Sequence, residues 1–85
     1  MSALEALPNI GPVLARRLRR SGIADAEAFL ALGDAAAFSR LRAELPDEAC
    51  LSTRYALAGA ARGVRWHALD PALRRQLAAE ARARR

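Results

Sequence analysis

Apolar residues recur along the chain at spacings of three and four, the period of an amphipathic α-helix. In the first clear segment Ile10, Leu14 and Leu18 form one side, while Arg16, Arg19 and Arg20 fall towards the other. No segment alternates between apolar and polar residues with period two. The pattern therefore predicts an all-α fold without strands.

Start and stop signals divide the chain into five to six helices. Ser2 to Glu5 has the spacing of a capping box that opens a very short first helix. Pro12 suits the first turn of the second helix, and Gly22 suits its left-handed end. The later predicted segments are Asp25 to Gly33, Asp34 to Leu45, Ala49 to Arg62, and a last helix that begins at Asp70-Pro71. Aspartate is predicted to cap three of these helices.

The helix of residues 49–62 carries a second pattern of interest. Its predicted core residues are Leu51, Tyr55 and Ala58. Gly59 and the neighbouring alanines would let another helix approach closely. We expect the chain to form a single domain over residues 1–85, with residues 80–85 frayed at the end.

Composition adds a charge argument to this pattern. The chain has 85 residues and a formal net charge of +5, and all fourteen of its positive side chains are arginines. A basic surface favours polyanions such as nucleic acid, although an arginine- and alanine-rich composition is also typical of a GC-rich genome. No stretch is long and apolar enough to cross a bilayer, and the start lacks the pattern of a signal peptide. With a single cysteine as well, we expect a cytoplasmic protein with no membrane contact.

The segment Leu7–Gly22, called here the hairpin segment, has the layout of a helix-hairpin-helix. Asn9 and Gly11 are predicted to take positive φ, with Ile10 between them pointing inward. Such a turn leaves backbone N–H groups free at the start of a helix, where an anion is favoured. The residues predicted to contact a nucleic-acid phosphate are Asn9, Ile10, Gly11, Val13, Arg16, Arg17 and Arg20.

A purely structural interpretation of the same segment stays open. The turn would then only join two helices, and Pro12 would remove one of the donors that a phosphate needs. A second hypothesis is therefore a protein-interaction or self-assembling domain without DNA contact. In it a basic face meets an acidic protein partner, and the helix around Gly59 packs against a second copy of the chain. The possible interaction surface comprises Arg62, Arg65 and Trp66.

Enzymatic chemistry has little support in the sequence. His67 has no second ligand at metal-binding spacing, and Cys50 has no evident histidine partner. The DNA lyases among helix-hairpin-helix proteins need a lysine amine, and the chain contains no lysine. We therefore expect no catalytic residue, no metal site and no cofactor.

Several short motifs in order resemble the C-terminal domain of the TfoX (Sxy) regulators of bacterial natural competence. They extend from Leu4 to Leu77, and their main members are Leu7 to Pro12, Gly22-Ile23, Leu32-Gly33, Tyr55 to Ala60, Gly63 and Trp66. The resemblance implies an all-α, helix-hairpin-helix or SAM-like fold and a regulatory role linked to DNA uptake. Full-length regulators carry an additional N-terminal domain, so we expect here a stand-alone C-terminal domain.

Overall fold

A computed structural model describes residues 1–83 as a bundle of short helices. Its five α-helices are α1 (Pro12–Arg20), α2 (Ala26–Leu32), α3 (Asp34–Glu44), α4 (Leu51–Arg62) and α5 (Pro71–Ala83). Single 3₁₀ turns lie before α1 (Leu4–Ala6), between α3 and α4 (Pro46–Glu48) and between α4 and α5 (Trp66–Ala68). The described residues contain no strand, which confirms the predicted all-α class.

Local sequence signals explain most helix ends. Pro12 occupies the first turn of α1, where its missing N–H leaves no helical hydrogen bond broken. The side chain of Asp25 accepts a hydrogen bond of 2.8 Å from the backbone N–H of Ala28, as expected of a helix cap. Gly22 and Gly63 take positive φ values of 89° and 72° after α1 and α4. These stops are as predicted because glycine carries no Cβ to strain a left-handed backbone.

Two other predicted caps are wrong, and long-range contacts explain both. The first helix is only a 3₁₀ turn, and Glu5 binds Arg19 instead of completing a capping box. Asp34 lies inside the first turn of α3, and Gly33 precedes it without a side-chain cap. The Asp34 carboxylate instead accepts a hydrogen bond of 2.6 Å from Arg54 of α4. Both acids are thus used between elements rather than at their own helix start.

The main core lies where α1, α2, α3 and α4 meet. Its fully buried side chains are Leu4, Leu18, Ile23, Phe29, Leu41 and Leu57. A smaller cluster of Ala58, Leu69 and Leu77 joins α4 to α5, with Tyr55 and Trp66 packed against it. Both clusters include residues of α4, so this helix forms the centre of the molecule.

The central position of α4 changes the prediction for its faces. Leu51 was predicted in the core but is exposed, whereas Leu57 is fully buried. Ala56 through Ala60 are all buried, because the hairpin segment, α3 and α5 surround this part of α4. The face around Gly59 is therefore inside the protein, and the prediction that it packs against a second copy is wrong.

Residues 80–85 were expected to fray. The last helix continues to Ala83, so residues 80–83 are helical. Residues 84–85 of that prediction lie outside the described residues. Within residues 1–83, no helix is both long enough and apolar enough to cross a membrane.

Candidate functional site

The turn of the hairpin segment has one left-handed residue and not two. Asn9 takes a φ of 68°, as predicted. Gly11 has a φ of −91° and a ψ of −176°, which any residue can adopt, so the prediction of positive φ there is wrong. Ile10 is buried with 4% of its surface exposed, which confirms that it locks the turn to the core.

The Asn9 side chain ties this turn to the end of α4. Its Nδ2 group donates to the carbonyl oxygens of Ala56 at 3.3 Å and Val64 at 2.9 Å. Its Oδ1 atom accepts the backbone N–H of Trp66 at 3.0 Å. The Asn9 amide therefore forms hydrogen bonds with the Val64 carbonyl, just after α4, and with the Trp66 N–H in the next 3₁₀ turn. The Asn9 side chain is therefore engaged within the fold, whereas a contact to phosphate had been predicted for this residue.

Gly59 makes that arrangement possible. A Cβ atom at this position would lie 2.5 Å from Asn9 Nδ2 and 2.7 Å from the carbonyl oxygen of Val64. Both distances are far below van der Waals contact. Gly59 thus permits close approach within one chain, the approach that the sequence pattern had suggested between two helices.

Backbone donors remain available at the start of α1. Ala15 N–H bonds to the Gly11 carbonyl, and Ile10 N–H bonds to the Leu7 carbonyl at 3.4 Å, so Ile10 offers no free donor to a phosphate. The N–H groups of Gly11 and Val13 have no acceptor among residues 1–83. Of the predicted turn contacts, Gly11 and Val13 therefore keep the required donors.

The four arginines of α1 divide into two pairs. Arg17 lies 2.6 Å from Glu48, and Arg19 lies 2.7 Å from Glu5. The hydrogen bond from Arg19 lowers the pKa of the Glu5 carboxyl below its usual value. Arg16 and Arg20 are exposed and form no ion pair within the described part of the chain. They are the charges of α1 that remain open to a partner.

A groove of about 350 Å³ brings the two predicted clusters together. We call it the hairpin groove; residues on its walls include Asn9, Leu14, Arg17, Thr53, Arg65 and Trp66. Arg65 is exposed, and Trp66 is half-buried. The connector after α4 therefore supplies a second arginine to the side of the hairpin segment, which sequence spacing alone does not reveal.

Arg62, the third member of the predicted interaction surface, is held elsewhere. Its guanidinium donates to the Ala58 carbonyl at 2.8 Å and lies 3.6 Å from Asp34. Asp34 also pairs with Arg54, whose side chain is only 6% exposed. Arg62 thus belongs to an ion-pair cluster between α3 and α4, although 43% of its side chain stays exposed.

A second groove beside α5 was not singled out from the sequence. Its volume is about 450 Å³, and we call it the α5 groove; it is lined by Tyr55, Pro71, Arg74, Arg75, Ala78 and Arg82. Tyr55 stacks on Trp66 with ring centroids 5.6 Å apart. Trp66 lines the hairpin groove, so this ring pair forms the boundary between the two grooves. The available sequence signal was the spacing of four between Arg74, Ala78 and Arg82.

Cys50 has a perturbed thiol at the start of α4. A hydrogen bond with the Thr53 hydroxyl, at 3.3 Å between Sγ and Oγ1, lowers the pKa of the thiol. The group that lowers this pKa most is a hydroxyl and not a base, and the Cys50 side chain makes no cap hydrogen bond to the backbone of α4. Within residues 1–83, no three histidine, cysteine or acidic side chains group as metal ligands.

Comparisons with known proteins place the chain in a family. The family model of the TfoX C-terminal domain matches residues 1–81. No curated protein matches the chain.

Two solved structures from Listeria monocytogenes are similar over nearly the whole chain. One is an uncharacterised protein in a triclinic crystal form, with 36% identity, a TM-score of 0.89, and coverage of 96% of this chain and 92% of that one. The other, a protein of unknown function in a tetragonal form, has 39% identity, a TM-score of 0.86, and coverage of 94% and 96%. The family match and these two structures agree with the architecture described above. The chain belongs to the TfoX C-terminal domain family.

Proposed function

We propose that this domain is a non-enzymatic regulatory module that contacts nucleic-acid phosphates through the outer side of the hairpin segment. The observation that carries the proposal is the hairpin groove, where Arg17 of α1 and Arg65 of the connector border the same depression. Arginines from two separate parts of the chain there border one depression, and Arg17 also pairs with Glu48. A phosphate is the ligand that such an arrangement favours.

Unpaired arginines and free backbone N–H groups also support phosphate binding by the outer side of the hairpin segment. Arg16 and Arg20 are exposed without an ion pair in the described residues. The N–H groups of Gly11 and Val13 point to no acceptor in residues 1–83. These groups recognise phosphate and not base edges, so they predict binding with little sequence preference. Regulation of DNA uptake, which the likeness to the competence regulators implies, is part of this proposal.

A DNA titration tests the proposal. We expect the wild type to bind duplex DNA weakly, with a dissociation constant of roughly 10⁻⁴–10⁻⁶ M at physiological salt. The Arg16/Arg20→Ala double variant removes two phosphate contacts, so its plot of log K against log salt should be shallower by about 1.8. Fluorescence anisotropy of a labelled duplex measures both values.

A control that removes a single charge is Arg40→Ala, because Arg40 is an exposed arginine on α3. It should bind nearly as the wild type does. Absence of binding at low salt, affinity that does not change with salt, or a double variant that binds like the wild type would each contradict the proposal.

The alternative is a protein-interaction domain in which the same basic side meets an acidic protein partner. The exposed apolar side chains Val13 and Val64, with 50% and 37% of their surfaces accessible, favour it because protein interfaces need apolar contact as well as charge. A homo-oligomer would have to use such a surface, since the Gly59 face is internal. Light scattering of the purified chain distinguishes an oligomer from a monomer, and a strict monomer indifferent to acidic proteins excludes the alternative.

A further inference from the structure

Charge is separated across the last helix. Arg74, Arg75 and Arg82 line the α5 groove together with Tyr55. Glu80 lies on the other flank of α5, where it lines a different depression with Arg54. This follows from helical geometry, because Glu80 is displaced by more than a quarter turn from the row that residues 74, 78 and 82 form. The α5 groove is therefore lined by arginines and by no acidic residue.

These arginines are free in the described structure. None of Arg74, Arg75 and Arg82 forms an ion pair with any of residues 1–83. Arg54 and Arg62, by contrast, both form ion pairs with Asp34, and Arg54 also approaches Glu80. The residues that line this groove therefore carry positive charge without an acidic partner among residues 1–83.

Aromatic rings lie between the α5 groove and the hairpin groove. Trp66 stacks on Tyr55 and also on His67, with the centroids of the second pair 3.9 Å apart and their planes at 30°. Tyr55 and Trp66 are half-buried, whereas His67 is exposed. The stack of three rings therefore ends in solvent at His67.

The combination of unpaired arginines and an exposed stack of rings favours one class of polyanion over the others. A duplex offers phosphates but keeps its bases stacked inside, so exposed aromatic rings add nothing to its binding. A single strand offers both phosphates for the arginines and unpaired bases for the rings. An acidic protein would match the arginines but has no group that requires a stack of rings.

We propose that the α5 groove and the aromatic stack bind single-stranded nucleic acid, with phosphates at Arg74 and Arg75 in the groove and a base stacked on His67 at the exposed end of the stack. The strand then continues past Trp66 towards Arg65 and Arg17 in the hairpin groove. This inference rests on the proposed function, because it names the form of nucleic acid that the same side of the molecule takes.

The test compares two probes of the same charge. One is an oligothymidylate of about twelve nucleotides, within the range of known single-strand sites, and the other is an abasic strand of the same length. We expect the oligothymidylate to bind more tightly, and His67→Ala to weaken it by about fivefold or more while leaving the abasic strand unchanged. His67→Phe keeps a ring and should restore binding.

Salt dependence separates the arginines from the rings. Arg74/Arg75→Ala should reduce the slope of log K against log salt for the oligothymidylate by about 1.4, since single strands give about 0.7 per phosphate. His67→Ala should leave that slope unchanged, because stacking releases no counterions. Arg16/Arg20→Ala is the charge-matched control, and it should weaken a duplex more than Arg74/Arg75→Ala does. Thermal melting verifies that every variant folds.

Failure of this inference differs from failure of the proposed function. If Arg16/Arg20→Ala weakens duplex binding but His67→Ala leaves the oligothymidylate unchanged, only the single-strand site is overturned. Equal affinity for oligothymidylate and abasic strand, or equal competition by polyglutamate of the same charge, overturns it as well. If no nucleic acid binds at low salt, both proposals fall.

Discussion

The inner and outer sides of the hairpin segment are built from neighbouring residues but are held by different forces. On the inner side, Ile10 and Leu18 are buried, and Asn9 makes three hydrogen bonds to the end of α4 and the connector beyond it. On the outer side, Arg16 and Arg20 are exposed and have no ion pair among residues 1–83. Residues only two positions apart, such as Leu18 and Arg20, thus serve stability in one case and are open to a ligand in the other.

This difference means that stability and binding can be tested separately. A substitution on the inner side should lower the free energy of unfolding of the domain. One on the outer side should leave the free energy of unfolding almost unchanged, because that side has few contacts to lose.

The largest effect is expected for Asn9→Ala. It removes the three hydrogen bonds and places a Cβ-bearing residue without a stabilising amide at a φ of 68°. The free energy of unfolding should fall by about 3 kcal/mol. Each lost hydrogen bond contributes about 1 kcal/mol and the left-handed backbone about 1 kcal/mol, while hydration of the groups left without a partner offsets part of the loss. Urea denaturation measures it.

Asn9→Gly separates the two causes. Glycine tolerates the left-handed backbone, so this variant should be more stable than Asn9→Ala by about 1 kcal/mol. If the two variants are equally stable, backbone conformation contributes nothing at this position. If both resemble the wild type, the inner side is not held by Asn9.

Gly59→Ala should cost about 2 kcal/mol, although alanine is the better helix former. The new Cβ would meet Asn9 Nδ2 and the Val64 carbonyl, and overpacking of this kind outweighs the gain in helix propensity. Gly11→Ala is the matched control, with no atom within 4 Å of its new Cβ and an unstrained φ. Its stability should stay within about 0.5 kcal/mol of the wild type. Equal losses in the two variants would contradict the close approach.

The ion pair of Arg17 and Glu48 is expected to have a smaller effect. Both side chains keep about a third of their surface exposed, at 33% and 28%, so solvent screens the pair. Glu48→Gln should lower stability by about 0.5 kcal/mol at low salt and by less at high salt. A loss above about 1.5 kcal/mol would show that Arg17 belongs to the inner side.

Acidic pH should remove the remaining small contributions. The pKa of Glu5 is lowered by the Arg19 hydrogen bond, and that of Glu27 by the backbone N–H of Ser2. A lowered folded pKa stabilises the protein at neutral pH, and this stabilisation is lost as the pH falls below the ordinary carboxyl value of 4.5 through the folded value. The Glu5→Gln/Glu27→Gln variant should therefore lose less stability between neutral and acidic pH than the wild type. Parallel urea titrations at several pH values measure this, and identical pH profiles would contradict it.

Much of the local architecture could be predicted from single residues and their neighbours. Pro12 at the start of α1 and the glycines that end α1 and α4 act through their own backbone preferences, which depend little on the rest of the fold. The positive φ of Asn9 was predictable for the same reason. The candidate phosphate contacts at Arg16 and Arg20 also followed from spacing, since they lie on the polar side of α1.

Other residues were misjudged because their partners are distant in the sequence. Asp34 has the position of a cap but pairs with Arg54, twenty residues away. Gly59 has the appearance of a helix-packing residue, yet its partner is Asn9 across the fold. Arg62 and Arg65 are only three residues apart. Arg62 nevertheless lies in an ion-pair cluster, whereas Arg65 lines the open hairpin groove. No pattern within a short window contains this information.

The sequence by itself determined the helical class, the positions of most helix ends and the family. Each of these depends on hydrophobic period, on backbone preference or on an ordered set of motifs. Only the tertiary structure decided which arginines pair with acids and which remain free, and that the Tyr55–Trp66 ring pair lies between the arginines of the α5 groove and the hairpin groove. The physical reason is that an arginine has the same intrinsic properties at every position. Its availability to a ligand is set by the acids and carbonyls that the fold brings within reach.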